Sequence, residues 1–168
     1  MKYYYKMIKS PVGGLKLVAS DKGLAAILWE NDNPRRVQLS PVIEQNDHPI
    51  LLQTEAQLQD YFASKREKFN LPLDFVGTDF QKKVWEALLG IPFGQTRTYQ
   101  QIAYQIGHPK AVRAVGAANG KNPIAIVTPC HRVIGTKGKL TGFAGGLVAK
   151  EALLDIERNR DFKRNSPI

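Results

Sequence analysis

Thr98-Tyr99-Gln100-Gln101-Ile102-Ala103-Tyr104-Gln105-Ile106-Gly107-His108-Pro109-Lys110-Ala111-Val112-Arg113-Ala114-Val115-Gly116-Ala117-Ala118-Asn119-Gly120 is the stretch that decides how this 168-residue chain is read. Thr98 with Gln101 three residues on has the form of a capping box, in which a hydroxyl and an amide each satisfy a free backbone N–H of the first helical turn. Behind it Tyr99, Ile102, Ala103 and Ile106 fall at i, i+3, i+4 and i+7, one face of a helix. Gly107 ends that helix, and Pro109 suits the first turn of a second one reaching Asn119-Gly120. Two short helices about Gly107-His108-Pro109 predict a helix-turn-helix. The same pattern also fits an ordinary αα-hairpin.

The second helix carries Ala111, Ala114, Gly116, Ala117 and Ala118, and so has little side-chain bulk. Reading base edges in the major groove takes long polar side chains. A bare helix instead suits close approach to a phosphate backbone or a minor groove, with Arg113 as its one long cationic probe. Tight packing within the domain explains small residues equally well.

Upstream, Thr78-Asp79-Phe80-Gln81 is another capping box, followed by Phe80, Val84 and Leu88 on one face until Gly90-Ile91-Pro92 stops the helix. Further back the reading turns to strands. Tyr3 to Ile8, Gly14 to Ser20 and Leu24 to Trp29 are apolar or alternating runs, the last two separated by the turn Asp21-Lys22-Gly23. Asn31 to Pro49 reads as loop, or as loop around a short element. Ile50 to Ala63 has helical spacing, and Lys65 to Val76 reads as a connection between domains. The fold class expected is therefore α/β: a small N-terminal sheet-and-helix domain over residues 1–77, then a mostly helical domain over 78–168.

Composition narrows the function classes. Apolar residues at 43% and charged residues at 23% are ordinary for a globular chain, and no apolar run approaches a membrane span. The first residues, Met1 to Lys6, lack the apolar stretch of a signal peptide. One cysteine, Cys130, makes no internal disulfide, and three scattered histidines do not give structural-zinc spacing. A monomeric, cytoplasmic protein without metal or cofactor is expected. The net charge of +9 is lopsided: residues 1–77 hold 10 Lys+Arg and 9 Asp+Glu, residues 78–168 hold 14 and 6. An excess of +8 in one half fits a polyanion-binding surface, and it also fits plain solubility.

The densest chemistry is Pro129-Cys130-His131-Arg132-Val133, just after the apolar run Ile124 to Val127. The thiolate is the reactive form of cysteine, and a neighbouring imidazole or guanidinium favours it. Leu147 to Arg158 reads as a helix turning Ala149, Ala152, Leu153 and Ile156 inward, with Glu157 near its end; that carboxylate is placed to orient His131 in a Cys-His-Glu relay. Each part has a plainer explanation. Lone cysteines are usually inert, Glu157 is by default a solvated helix charge, and Arg132 is equally suited to hold a phosphate.

Taken together these residues resemble the O6-alkylguanine-DNA alkyltransferases, in their bacterial single-polypeptide form. The likeness extends to Ile91-Pro92-Phe93-Gly94, Thr98-Tyr99, Arg113-Ala114-Val115-Gly116, Asn122-Pro123, Gly145-Gly146 and Lys150 to Glu157, close over residues 78–158 and loose over 1–77. The resemblance implies a ribonuclease-H-like N-terminal domain and no cofactor. It implies that duplex DNA bearing O6-alkylguanine, or O4-alkylthymine, is bound, and that the damaged base is flipped out. The alkyl group then moves irreversibly onto Cys130, once per molecule.

In that likeness His131 takes the thiol proton through a water, Glu157 polarises His131, Asn122 steadies the turn at the nucleophile, and Tyr99 donates to the guanine ring. Arg113 fills the gap left by the base. The carbonyls of Cys130 and Val133 accept from the exocyclic amine, Phe143 walls the base, and the N–H of Ala144 faces O6. Phe143 stands where the family commonly has Tyr, and Thr128 where an aliphatic residue is usual. A damage-binding protein without transfer and a Cys-His hydrolase are the rival functions; the first is disfavoured by the presence of Cys130, and for the second no substrate signature is present.

Overall fold

The computed structural model describes residues 2–40, 42–138 and 142–165. The chain forms two compact units. The first holds the residues up to Thr78 together with Pro123–Val127; the second runs from Asp79 to Asn122 and resumes at Thr128.

In the first unit, strands β1 (Tyr3–Ile8), β2 (Leu15–Ala19), β3 (Leu24–Trp29) and β4 (Val42–Glu44) form one sheet in the order β3-β2-β1-β4. The β1–β2 and β2–β3 pairs are antiparallel, and β4 runs parallel to β1. Helix α1 (Pro49–Phe62) is opened by His48, whose ring accepts from the Ile50 N–H, with Pro49 in the first turn. It buries Leu51, Thr54, Leu58 and Tyr61 and packs against β1, β2 and β3. The alternation in β2 predicts one wet face, yet Val18 is buried as well as Leu15 and Leu17. Val37 and Leu39, from the proline-bearing loop, cover the cluster of Tyr3, Val18, Ala25 and Ala26 on that second face.

The segment expected to be only a connection extends the sheet. Leu24 donates to the Pro72 carbonyl at 2.8 Å and accepts from Asp74 N–H at 2.8 Å. A side chain on Gly23 would lie 2.7 Å from the Pro72 carbonyl oxygen, so this close approach requires glycine. Further along β3, Ile27 donates to the Pro123 carbonyl at 2.9 Å, and Ile124, Ala125 and Ile126 are buried. Residues 123–127 thus group with the first unit. Residues 123–127 leave the second unit because their apolar side chains and backbone are satisfied in the first.

The second unit contains α2 (Asp79–Leu89), β5 (Arg97–Thr98), α3 (Tyr99–Gln105), α4 (Val112–Gly120), β6 (Val133–Ile134) and α5 (Leu147–Asn165). The capping box at Thr98 is present, with Gln101 N–H to Thr98 Oγ1 at 3.1 Å and Thr98 N–H to Gln101 Oε1 at 2.8 Å. Helix α3 closes as the sequence predicts. Gly107 takes φ +81°, its N–H reaches Tyr104, and His108 N–H reaches Ala103 at 2.9 Å, a Schellman pattern. Pro109, expected in the first turn of the next helix, lies in the connecting turn instead. Ala111 N–H bonds back to His108, and α4 begins at Val112 with Ala111 as an uncapped first residue. Helices α3 and α4 pack on each other and on α2, where buried Trp85 donates to the Ala118 carbonyl at 2.9 Å. The parallel pair β5–β6, joining Arg97 to Val133 and Thr98 to Ile134, had no signal in the sequence.

Candidate active site

Cys130 opens a single 3-10 turn, Cys130–Arg132, against which α2 and α5 both pack. Its own N–H bonds to Thr128 carbonyl at 2.8 Å, and Arg132 N–H to Pro129 carbonyl at 2.9 Å. From the loop after α4, Asn122 donates to the same Thr128 carbonyl at 2.8 Å and is itself 1% exposed. The turn carrying the thiol is thus held by a buried side chain as well as by backbone. Cys130 is the chain's single cysteine and is 6% exposed.

His131 is wholly buried, and its Nε2 lies 2.7 Å from Glu157 Oε2. Arg132 donates to both oxygens of Glu157, from Nε at 2.8 Å and from Nη2 at 3.0 Å, and to the Ile91 carbonyl at 2.8 Å. The Gly94 N–H adds a longer contact to Glu157 Oε1 at 3.4 Å. Burial would raise the Glu157 carboxyl, but His131 and Arg132 hold it down to about 2. Burial depresses the imidazole below 6.5, and Arg132 and Lys150 push the same way, against the hydrogen bond to Glu157 and its charge. At neutral pH the ring is therefore neutral and the bidentate guanidinium carries the compensating charge. With Glu157 ionised, the network assigns the ring proton to Nε2, so Nδ1 is an acceptor; it is buried and has no hydrogen-bond partner among the described residues. A neutral imidazole with one ring nitrogen left to accept has the form a general base requires.

Arg132 is thereby excluded as a phosphate holder: its guanidinium is buried and committed. Lys150, on α5, is wholly buried and donates to the Val133 carbonyl at 2.7 Å, with its ammonium 5.9 Å from the Phe143 ring centre. Burial lowers its pKa, and Cys130 opposes that shift. Val133 and the half-buried Phe143 thus lie at this end of the site, whereas Ala144 is exposed.

Tyr99, half-buried at the start of α3, rests against α4, where a side chain on Gly116 would meet its ring edge at 3.8 Å. On α4, Val115, Ala118 and Asn119 are buried, and Arg113, Ala114, Ala117 and Gly120 are exposed. The small residues therefore divide. Some permit packing, and others leave an outward face whose one long side chain at its start is Arg113.

Sequence reasoning missed the roles of Lys150, Asn119 and Arg132. Lys150 had a signal, since it stands seven residues before Glu157 on the inward face of α5. Asn119, which donates to the Cys130 carbonyl at 3.5 Å, had none. Among the described residues, no helix is long and apolar enough to cross a membrane.

Comparison with known proteins agrees over both units. Residues 79–159 match the family described as 6-O-methylguanine DNA methyltransferase, DNA binding domain, and residues 3–75 its ribonuclease-like domain. The chain is 49% identical over 156 residues to the methylated-DNA–protein-cysteine methyltransferase of Methanosarcina barkeri, covering 93% of this chain and 98% of that one. It is 48% identical over 159 residues to the protein of that name from Mycobacterium tuberculosis, covering 94% and 93%. The crystal structure of Mycobacterium tuberculosis OGT in complex with DNA superposes with a TM-score of 0.85 at 45% identity, covering 95% of this chain and 94% of that one. The chain belongs to the 6-O-methylguanine DNA methyltransferase family.

Proposed function

We propose that the protein repairs duplex DNA by moving the alkyl group from O6 of a flipped-out guanine to Cys130. The chemistry balances without a cofactor. The Cys130 thiol proton passes to His131 Nδ1, by way of a water as in the family. The sulfur attacks the alkyl carbon, the S–C bond forms as the C–O6 bond breaks, and Tyr99 gives the leaving purine a proton at its ring nitrogen. Glu157 holds the His131 tautomer and stabilises the imidazolium that forms. Because a thioether has no hydrolysis route here, each molecule acts once.

The observation that carries this reading is the 2.7 Å contact of Glu157 with a buried His131 adjacent to the sole cysteine. Residues 78–168 then supply DNA binding and chemistry, and residues 1–77 the ribonuclease-H-like domain. Asn122 holds the turn, Arg113 fills the vacated stack, and Phe143 walls the base. Val133 carbonyl and Ala144 N–H contact the edge of the base. O4-alkylthymine is the second substrate. A monomer in the cytoplasm suits a protein whose one thiol has to stay reduced.

Intact-mass measurement after mixing with duplex containing O6-methylguanine tests the reading. A gain of one methyl group, localised to Cys130, is expected; an unchanged mass with DNA in excess overturns it.

A further inference from the structure

Asn119 sits in the last turn of α4 and is 5% exposed. Its Nδ2 donates to the Cys130 carbonyl at 3.5 Å, a long hydrogen bond, and its Oδ1 is buried with no hydrogen-bond partner among the described residues. As a folding element this is a poor arrangement. An unpaired buried acceptor costs more than so long a bond returns, and an apolar side chain of the same volume would avoid the loss. A buried polar atom that folding does not satisfy calls for an explanation, and a part in the site is one. Here the amide spans two functional parts. Its backbone belongs to the helix that bears Arg113, and its donor rests on the carbonyl of the nucleophile itself.

That carbonyl has a chemical use. In the alkyl-transfer reading above, the purine whose O6 substituent meets the Cys130 sulfur offers its exocyclic amine to the backbone flanking that sulfur. The exocyclic amine brings two N–H donors there. The acceptors offered are the carbonyls of Cys130 and Val133, and each has a buried side-chain donor on it: Asn119 on the first, beside the Val133 N–H that closes the 3-10 turn, and Lys150 on the second. Bonds that are long in a free enzyme commonly tighten when substrate completes the site.

We infer that Asn119 is a positioning residue for base selection: its amide aims the Cys130 carbonyl at the exocyclic amine of the extruded purine. This rests on the alkyl-transfer reading above and adds to it a residue that reads the amine through the nucleophile's backbone. The side chain does not touch the reacting atoms. Its removal therefore affects purines that carry the amine and spares those that lack it.

The test compares single-turnover transfer from two duplexes of the same sequence, one with O6-methylguanine and one with O6-methylhypoxanthine, which lacks only the amine. The unmodified protein is expected to prefer the first. Asn119→Leu should slow transfer from O6-methylguanine by about tenfold and change transfer from O6-methylhypoxanthine by less than about threefold, since one hydrogen bond is involved. Its melting temperature should be equal or higher. Asn119→Ala serves as the second variant should leucine be too bulky to fold. Equal losses on both duplexes, no loss on either, or absence of preference in the unmodified protein overturns the inference. No methyl transfer to Cys130 from either duplex overturns the underlying reading instead.

Discussion

The imidazole Nε2 of His131 and the carboxylate Oε2 of Glu157 stand 2.7 Å apart, both out of contact with solvent, and the second oxygen of that carboxylate is held by Arg132 at 2.8 Å. One buried anion thus orients a base and neutralises a cation. The geometry ties the chemistry of the site to the stability of the domain, because both partners of Glu157 are buried with it.

Glu157→Gln separates those two effects. The amide is close in shape but leaves Arg132 buried without its counter-charge, and removing one member of a buried pair costs about 3–5 kcal/mol. Thermal or urea denaturation should show a loss of that order. Alkyl transfer should slow further at temperatures where the variant is still folded, since the imidazolium loses its stabilising anion.

Acid should act in two steps, with the sign set by the two depressed pKa values. Buried His131 binds its proton less readily than an unfolded histidine at 6.5, so stability is full above that pH and falls as the unfolded chain takes up the proton. Glu157, at about 2 against 4.5 in the ordinary state, contributes stability that is present above 4.5 and lost as pH falls toward 2. Transfer should likewise persist as pH drops through 6.5, because the ring remains a base there, and decline only lower. Denaturation midpoints and single-turnover rates across pH 3–8 (an interval of about these pKa values) check both. A rate that halves at the ordinary histidine pKa contradicts the neutral, buried ring.

Arg113→Ala addresses the exposed face of α4. If the guanidinium offsets the loss of stacking when a base leaves the helix, a few kcal/mol are at stake, and repair of a duplex should fall about 10- to 100-fold. Reaction with the free alkylated base should be nearly unchanged. Rates on both substrates decide the matter, and parallel losses rule the role out.

Thr128→Val is expected to be neutral or stabilising, by about 1 kcal/mol, because Oγ1 of this wholly buried residue has no hydrogen-bond partner among the described residues and a methyl group of equal size avoids that loss. The carbonyl that holds Asn122 and the Cys130 N–H belongs to the backbone and stays in place. A melting temperature lowered by several degrees would show that the hydroxyl is paired in solution.

Charge gives one more check. With an excess of +8 over residues 78–168, affinity for undamaged duplex should fall steeply as salt rises. A titration at several ionic strengths measures the slope, and an affinity indifferent to salt contradicts binding through phosphates.

What was legible from sequence was local or written in one short run. The capping box at Thr98, the glycine that ends α3 and the strand run around Leu15 and Leu17 each depend on residues within a turn or two, so propensity and spacing suffice to find them; on α5 the buried face is turned toward Lys150, Leu154 and Glu157, and Ala152 and Ile156 are half-buried. The run Pro129–Val133, with its neighbours in order, was enough for the family likeness and hence for Cys130, His131 and Glu157. Tertiary structure decided what joins distant segments. It drew residues 123–127 into the first unit and paired β5 with β6. It moved the start of α4 past Pro109, and it set Arg132, Lys150 and Asn119 onto Glu157, Val133 and Cys130. The reason is physical. Such partners are chosen by which buried polar groups must be satisfied once the chain has collapsed, and that demand exists only in three dimensions.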